Sequence, residues 1–293
     1  MGSKEKAYKS VSRASMQLIN TMASLMKVLL LAKKAPRMPI AQSDTCIVLG
    51  TGPSLKTSLE KFPEHFFGQP LLCVNTFCLT EEFTKLKPSY YVMMDPSLWY
   101  SDNDLVQKVM ATIREKTTWK LYFMVPQDAR RSKRIAALAE NPNIELIFFN
   151  YVVFKGFDRI ARFFFRKNMA MPQSENVLVA SIFLMINVGY KRIELFGADH
   201  SWHEQLHVTE ENVVGLKHVH FYEDEKQLKV IPFYKGMHSK EIFRMDEAFI
   251  SWAKVFYGHL QIKKYASSRG TEVYNASEKT FVDAYPRFHV KEN

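Results

Sequence analysis

Six short apolar runs, each followed by a small or polar residue or a turn, set the tightest limit on what this chain can fold into. They lie at 45–49, 71–74, 90–94, 121–125, 144–149 and 192–196. Their near-continuous apolar character, without strict alternation, is the pattern of strands covered on both faces. Between them stand stretches with helical spacing at 104–116, 129–140 and 177–188, and a further one follows at 240–257. Strand alternating with helix predicts an α/β fold, a doubly wound and mostly parallel sheet with helices on both faces. A chain of 293 residues that is 47% hydrophobic and carries only 11 Gly and 12 Pro has enough core for one large domain. No internal repeat or low-complexity tract interrupts it.

Sheets of this kind bind ligands outside the carboxyl ends of their strands, where successive loops converge. Reading those ends in order gives Gly50-Thr51-Gly52-Pro53-Ser54, then Asn75, then Asp95-Pro96-Ser97, then Gly197-Ala198-Asp199. All four are small and capable of hydrogen bonding, so the rim is expected to be a polar ligand site. The first lacks the spacing of a Walker phosphate loop, and Leu55 stands where the dinucleotide fingerprint needs its third glycine. Its glycines suit close approach of backbone to a ligand. Ser54, at a helix start, suits either a cap or a phosphate donor.

The segment Leu49-Gly50-Thr51-Gly52-Pro53-Ser54-Leu55-Lys56 resembles the opening of glycosyltransferase family 42, the bacterial lipooligosaccharide sialyltransferases. Further segments resemble that family in the same order: Cys73-Val74-Asn75-Thr76-Phe77, Asp95-Pro96-Ser97-Leu98-Trp99, the passage 189–199 ending in Gly197-Ala198-Asp199, and Gly236-Met237-His238-Ser239-Lys240. The likeness runs from about residue 45 to 285. It implies a Rossmann-like sheet of the GT-A-like sialyltransferase variant, with 43–290 as the nucleotide-sugar-binding domain and a lid at about 201–237. It further implies that Gly50, Thr51, Gly52, Ser54, Asn75, Gly197 and Asp199 line the nucleotide site, that Ser97 lies near the sugar, and that His238 is the general base. The expected reaction is inverting transfer of a nonulosonic acid, sialic or a Kdo-, legionaminate- or pseudaminate-like sugar, from a CMP-activated donor to a surface glycan such as lipopolysaccharide, capsule or O-antigen.

The family's phosphate-binding tyrosine is replaced here by His200-Ser201-Trp202-His203. Charge on the departing phosphate therefore needs another partner, and His200, His203, Tyr222, Tyr234 and Lys240 are candidates. A related group with the same glycine-rich opening, the flagellin-modifying and pterin pyrophosphokinase-like proteins, is the alternative on the same fold, and a basic nucleic-acid-binding protein is the alternative from another class. Asp102-Asn103-Asp104 has the form of a metal-binding D-x-D, but it precedes an apolar-periodic run and reads better as a helix start. No cofactor and no metal requirement are expected.

Forty Lys and Arg against thirty Asp and Glu give a net charge of +10, which favours anionic partners. The excess is concentrated in residues 1–42, where Glu5 is the only acid. There Ile19, Met22, Leu25, Met26 and Leu29 recur at helical spacing, and the longest unbroken apolar run, 28–32, is far short of the ~20 residues that cross a bilayer. This basic amphipathic segment is expected either to lie on a membrane without spanning it or to pack on the domain or a partner subunit. At 154–167, aromatics interleave with cations, which suits a helix with one buried side, an interfacial membrane patch or a base-stacking face. The expected partners are the nucleotide-sugar donor, a glycan or lipid-linked glycan acceptor and the membrane surface, with no nucleic acid and with a homo-oligomer left open. The expected location is cytoplasmic, peripheral at the inner face of the cytoplasmic membrane. Cys46, Cys73 and Cys78 sit in or beside apolar runs without metal spacing and read as reduced core thiols.

Overall fold

A computed structural model describes residues 3–217, 230–236, 239 and 241–291. The strands are β1 (Thr45–Leu49), β2 (Leu71–Val74), β3 (Tyr90–Val92), β4 (Leu121–Pro126), β5 (Ile144–Phe149), β6 (Arg192–Phe196), β7 (Leu206–Val208), β8 (Val214–Lys217), β9 (Val230–Pro232) and β10 (Glu272–Asn275). The helices are α1 (Ser3–Leu31), α2 (Ser54–Lys61), α3 (Pro63–Phe66), α4 (Glu82–Leu86), α5 (Ser97–Tyr100), α6 (Asp104–Lys116), α7 (Lys133–Leu138), α8 (Asp158–Arg166), α9 (Val177–Val188) and α10 (Met245–Arg269).

Seven strands form one sheet in the order β10-β6-β1-β2-β3-β4-β5, and every neighbouring pair is parallel. The chain runs outward from β1 to β5 and then returns to place β6 on the other side of β1. The switch in winding direction, where such sheets open a crevice, therefore lies between β1 and β6. Alternation along the strands explains the two cores. Cys46 and Val48 join the layer under α9 and α10, whereas Ile47 and Leu49 join the layer under α2 and α6. Burial on both faces is the physical reason the strand runs are apolar throughout.

α9 is the central helix of the first layer. It starts at Asn176, whose side chain accepts from Leu178 N–H, and stops at Gly189, whose φ of 114° a side chain would disfavour. Between the caps almost every residue is buried, because α10 covers the side facing away from the sheet. At the start of α6 the segment 102–104 forms a helix cap: Asn103 accepts from Val106 N–H at 2.8 Å, and Asp102 pairs with Arg134 at 2.7 Å. All three cysteines are buried, and burial pushes the Cys78 thiol up to about 11.

Two expectations need correction. The helix expected at 129–140 is a 3-10 turn, Gln127–Arg131, followed by α7, because the Ser132 side chain accepts from Ile135 N–H and restarts the helix there. The helix expected from 240 begins at Met245, where the Glu247 carboxylate accepts from Arg244 N–H at 3.0 Å, and it runs on to Arg269. Within the segment expected to be a lid, about 201–237, β7, β8 and β9 form a three-stranded antiparallel sheet.

Candidate functional site

The loop after β1 owes its glycines to its neighbour in the sheet. Gly50 N–H donates to Phe196 O at 2.8 Å, and Gly52 N–H donates to Gly197 O at 2.9 Å. A β-carbon on Gly50 would stand 2.3 Å from Gly197 O, and one on Gly52 would stand 2.3 Å from Asp199 Oδ1. Only glycine lets the loops after β1 and β6 meet this closely. The third partner, Gly197, adopts φ 65° to complete the contact.

Asp199 then acts at the start of α2. Its Oδ2 accepts from Ser54 N–H at 3.0 Å and its Oδ1 from Ser54 O–H at 2.5 Å, both in a buried setting. Pro53 supplies no side-chain cap, so a carboxylate carried on another strand does so, at the end of the helix where negative charge is favoured. Ser54 and Asp199, both expected at a nucleotide, are thus bonded to each other. Thr51 stays exposed at the lip.

At the end of β2, Asn75 is held at φ 52°. Its carbonyl accepts from the Tyr91 hydroxyl at 2.6 Å, and the same hydroxyl accepts from Cys78 N–H at 3.0 Å. Burial raises the Tyr91 phenol far above its usual range, so it stays a donor and pins the turn. After β3, Ser97 is buried with its N–H on Asp95 Oδ1 at 2.9 Å, and its hydroxyl has no partner among the described residues.

Sequence reasoning missed the carboxy-terminal segment that clamps the β6 loop. Ala198 N–H donates to Ser277 Oγ at 2.9 Å, the Thr280 hydroxyl donates to Ala198 O at 2.6 Å, and Phe281 N–H donates to Asp199 O at 2.9 Å. These are isolated Ser and Thr in a loop, and no local pattern marks them. It also missed a buried chain running from the β6 loop into α10. His200 Nε2 lies 3.0 Å from His259 Nε2, and His259 Nδ1 lies 3.0 Å from the Tyr285 hydroxyl. One proton per ring satisfies this chain. Desolvation holds His200 down at about 4 and holds His259 well below its ordinary range, with the neighbouring His200 adding to the effect on His259. His200 is therefore neutral near pH 7, which removes it as a cation for a departing phosphate. Its ring lies 4.5 Å from Trp202, which begins an aromatic series through Trp252 and Phe233 to Phe243 beneath β7-β8-β9.

His238, Tyr222 and Lys240 lie outside the described residues. The chain on either side of His238 is paired: Lys235 N–H donates to Glu241 O at 2.9 Å and Phe243 N–H to Phe233 O at 2.8 Å. Tyr234 is 44% exposed.

Of the expected site residues, Thr51 and Gly52 line a cleft of about 790 Å³ between α2 and the turn after β2. Thr76, Phe77, Lys56 and Lys85 complete its mouth. Ser97, Gly197 and Asp199 do not line it; they stand along the same strand ends, in the loops after β3 and β6. The volume is within the roughly 300–1,000 Å³ of small-molecule sites. Among the described residues, no group of three or more His, Cys, Asp or Glu could hold a metal ion.

Fold and site together define a Rossmann-like, doubly wound α/β protein whose polar strand ends flank an open cleft. No family model matches the chain, and no curated protein matches it. Among solved structures it is similar to a MAf glycosyltransferase from Magnetospirillum magneticum AMB-1, with TM-score 0.48 and 10% identity. That match covers 94% of this chain and 38% of the other, so the chain spans well under half of that protein's length.

Proposed function

We propose that the chain is an inverting glycosyltransferase that moves an acidic, nonulosonic-type sugar from a CMP-activated donor to a glycan hydroxyl. The observation that carries the reading is the cleft at the ends of β1 and β2, open at Thr51 and Thr76 and bordered by Lys56 and Lys85. It is of nucleotide size, presents the Thr51 and Thr76 hydroxyls, carries its lysines as the pairs Lys56–Glu60 and Lys85–Glu81 with Glu82 beside them, and lies at the strand ends where α/β sheets bind ligands. The ordered resemblance of 49–56, 73–77, 95–99, 189–199 and 236–240 to the bacterial sialyltransferases agrees with it.

In this reaction, His238 takes the proton of the acceptor hydroxyl while the oxygen forms its bond to the anomeric carbon. The bond from that carbon to the donor phosphate oxygen breaks, and its electron pair leaves with CMP. Inversion follows from attack on the face opposite the leaving group. In this reading the Thr51 and Thr76 hydroxyls donate to the departing phosphate. A neutral imidazole suits the base, since an ordinary histidine titrates near pH 6.5 and is largely deprotonated at pH 7.

Isothermal titration with CMP, CDP, UDP, GDP and ATP, each with and without Mg²⁺, tests the reading. Selective binding of CMP without metal is expected. A preference for ATP with Mg²⁺ would replace it with pyrophosphoryl transfer, and failure to bind any nucleotide would end it.

A further inference from the structure

α1 presents to solvent the side that its sequence pattern would bury. Thr21, Ser24 and Val28, at 2%, 4% and 3% exposure, face the domain. Ser24 Oγ accepts from Lys155 N–H and donates to Lys155 O, both at 2.9 Å, and Thr21 Oγ1 accepts from Phe157 N–H at 2.9 Å. Just past the helix, Lys33 N–H donates to Asn150 Oδ1 at 2.8 Å and the Asn150 amide returns a bond to Lys33 O at 3.0 Å. The fit is close: at Gly156, φ 128°, a β-carbon would stand 2.0 Å from Thr21 Oγ1. On the opposite side Met16, Ile19, Met22, Met26, Leu29 and Leu30 are 55–78% exposed. Small polar groups hold the helix down while its large apolar groups point away. A continuous apolar face of this kind marks a surface that something else covers.

We propose that an anionic phospholipid bilayer covers it, with α1 lying in the interfacial plane. The charge of the surroundings selects this occupant. Between Lys6 and Asp44 the sequence holds no Asp or Glu, while Arg13, Lys27, Lys33, Lys34 and Arg37 accompany the helix. Beside it, α1, α8 and α10 enclose a cavity of about 500 Å³ lined by Arg13, Lys155, Arg162 and Lys264, with Asp158 its one acid. None of these four cations has a carboxylate partner among the described residues, and the cavity is suited to a lipid phosphate. α8 adds exposed Phe163 beside Arg159, Arg166 and Lys167. Two copies meeting through α1 would bring these cations together unneutralised; anionic headgroups neutralise them.

The 22 residues of Ser10–Leu31 span ~33 Å at 1.5 Å per residue, long enough to cross a bilayer. The bonds of Thr21, Ser24 and Asn150 settle the orientation instead. A spanning helix would break them and carry Gln17, Asn20, Thr21 and Ser24 into hydrocarbon.

Vesicle flotation of the full chain, without nucleotide, tests the proposal independently of the catalytic reading. The protein is expected to float with mixed phosphatidylcholine and phosphatidylglycerol vesicles, about tenfold more weakly with phosphatidylcholine alone, and to be released by high salt and by alkaline carbonate. The triple variant Ile19→Glu, Met26→Glu, Leu30→Glu should keep its circular dichroism spectrum and lose flotation. Arg162→Gln with Lys264→Gln should reduce the preference for anionic vesicles several-fold. Flotation unchanged in the triple variant overturns the proposal. So does resistance to carbonate, which would mean a spanning helix, or a dimer that the triple variant dissociates while vesicles are ignored.

Discussion

Mild acid should unfold this protein through its buried histidine pair. His200 and His259 occupy a site where desolvation disfavours the imidazolium, so the folded chain takes up these protons far less readily than the unfolded chain. The stabilisation they carry is complete above the unfolded value of about 6.5 and is lost as pH falls through the interval down to about 4 for His200. Between pH 7.5 and 5.0, a histidine titrating at about 6.5 unfolded and about 4 folded costs the native state ~2 kcal/mol. His259 is held well below its ordinary range as well, so its protonation adds to this cost in the same direction, against the roughly 5–15 kcal/mol that holds a domain together. Glu194 does not blur this window. Burial pushes its carboxyl up, but hydrogen bonds from His65 and Arg192 outweigh that and leave it low, so its titration falls at more acid pH. Urea unfolding followed by tryptophan fluorescence, with Trp202 packed on the His200 ring, measures the effect directly. His259→Gln keeps a hydrogen-bonding side chain but cannot titrate, and should clearly reduce the difference in unfolding free energy between the two pH values. An equal pH dependence in parent and variant would refute the reasoning.

Ser54→Ala removes one of two bonds to the buried Asp199 carboxylate and should cost ~1.5–3 kcal/mol in thermal or urea unfolding. Gly156→Ala forces a side chain into Thr21 at a positive φ, which α1 can relieve only by lifting away, so limited proteolysis should clip residues 1–31 much faster than in the parent. His238→Ala, under the transferase reading, should lower turnover by at least about a hundredfold while leaving CMP binding within a few-fold, and turnover close to the parent's would remove His238 as the base.

The strand runs were legible because a strand buried on both faces must be apolar along its whole length, and Thr45–Leu49, Leu71–Val74, Ile144–Phe149 and Arg192–Phe196 stand where the runs predicted. The ends of α6 and α9 were legible for a local reason too: Asn103, Asn176 and Gly189 cap or stop a helix by chemistry within a few residues. β10 was not, since Glu272-Val273-Tyr274-Asn275 is a short run at the sheet edge, held by pairing with the distant β6. Nor was the meaning of Gly52, which is required by a carboxylate 147 positions later in the chain and not by anything beside it.

The sequence by itself therefore determined the parallel sheet, the polar strand ends and the basic character of the amino terminus, because each follows from composition or spacing over a few residues. Only the tertiary structure decided that Asp199 caps α2, that His200 is neutral because burial against Trp202, Phe256 and His259 takes it out of water, and that α1 turns its apolar side outward. Those outcomes depend on which distant groups share a buried volume. A glycine at 156 and a carbonyl at 155 drew the polar side of α1 inward, where shape fit and reciprocal hydrogen bonding to Thr21 and Ser24 outweigh the burial its apolar side would have gained.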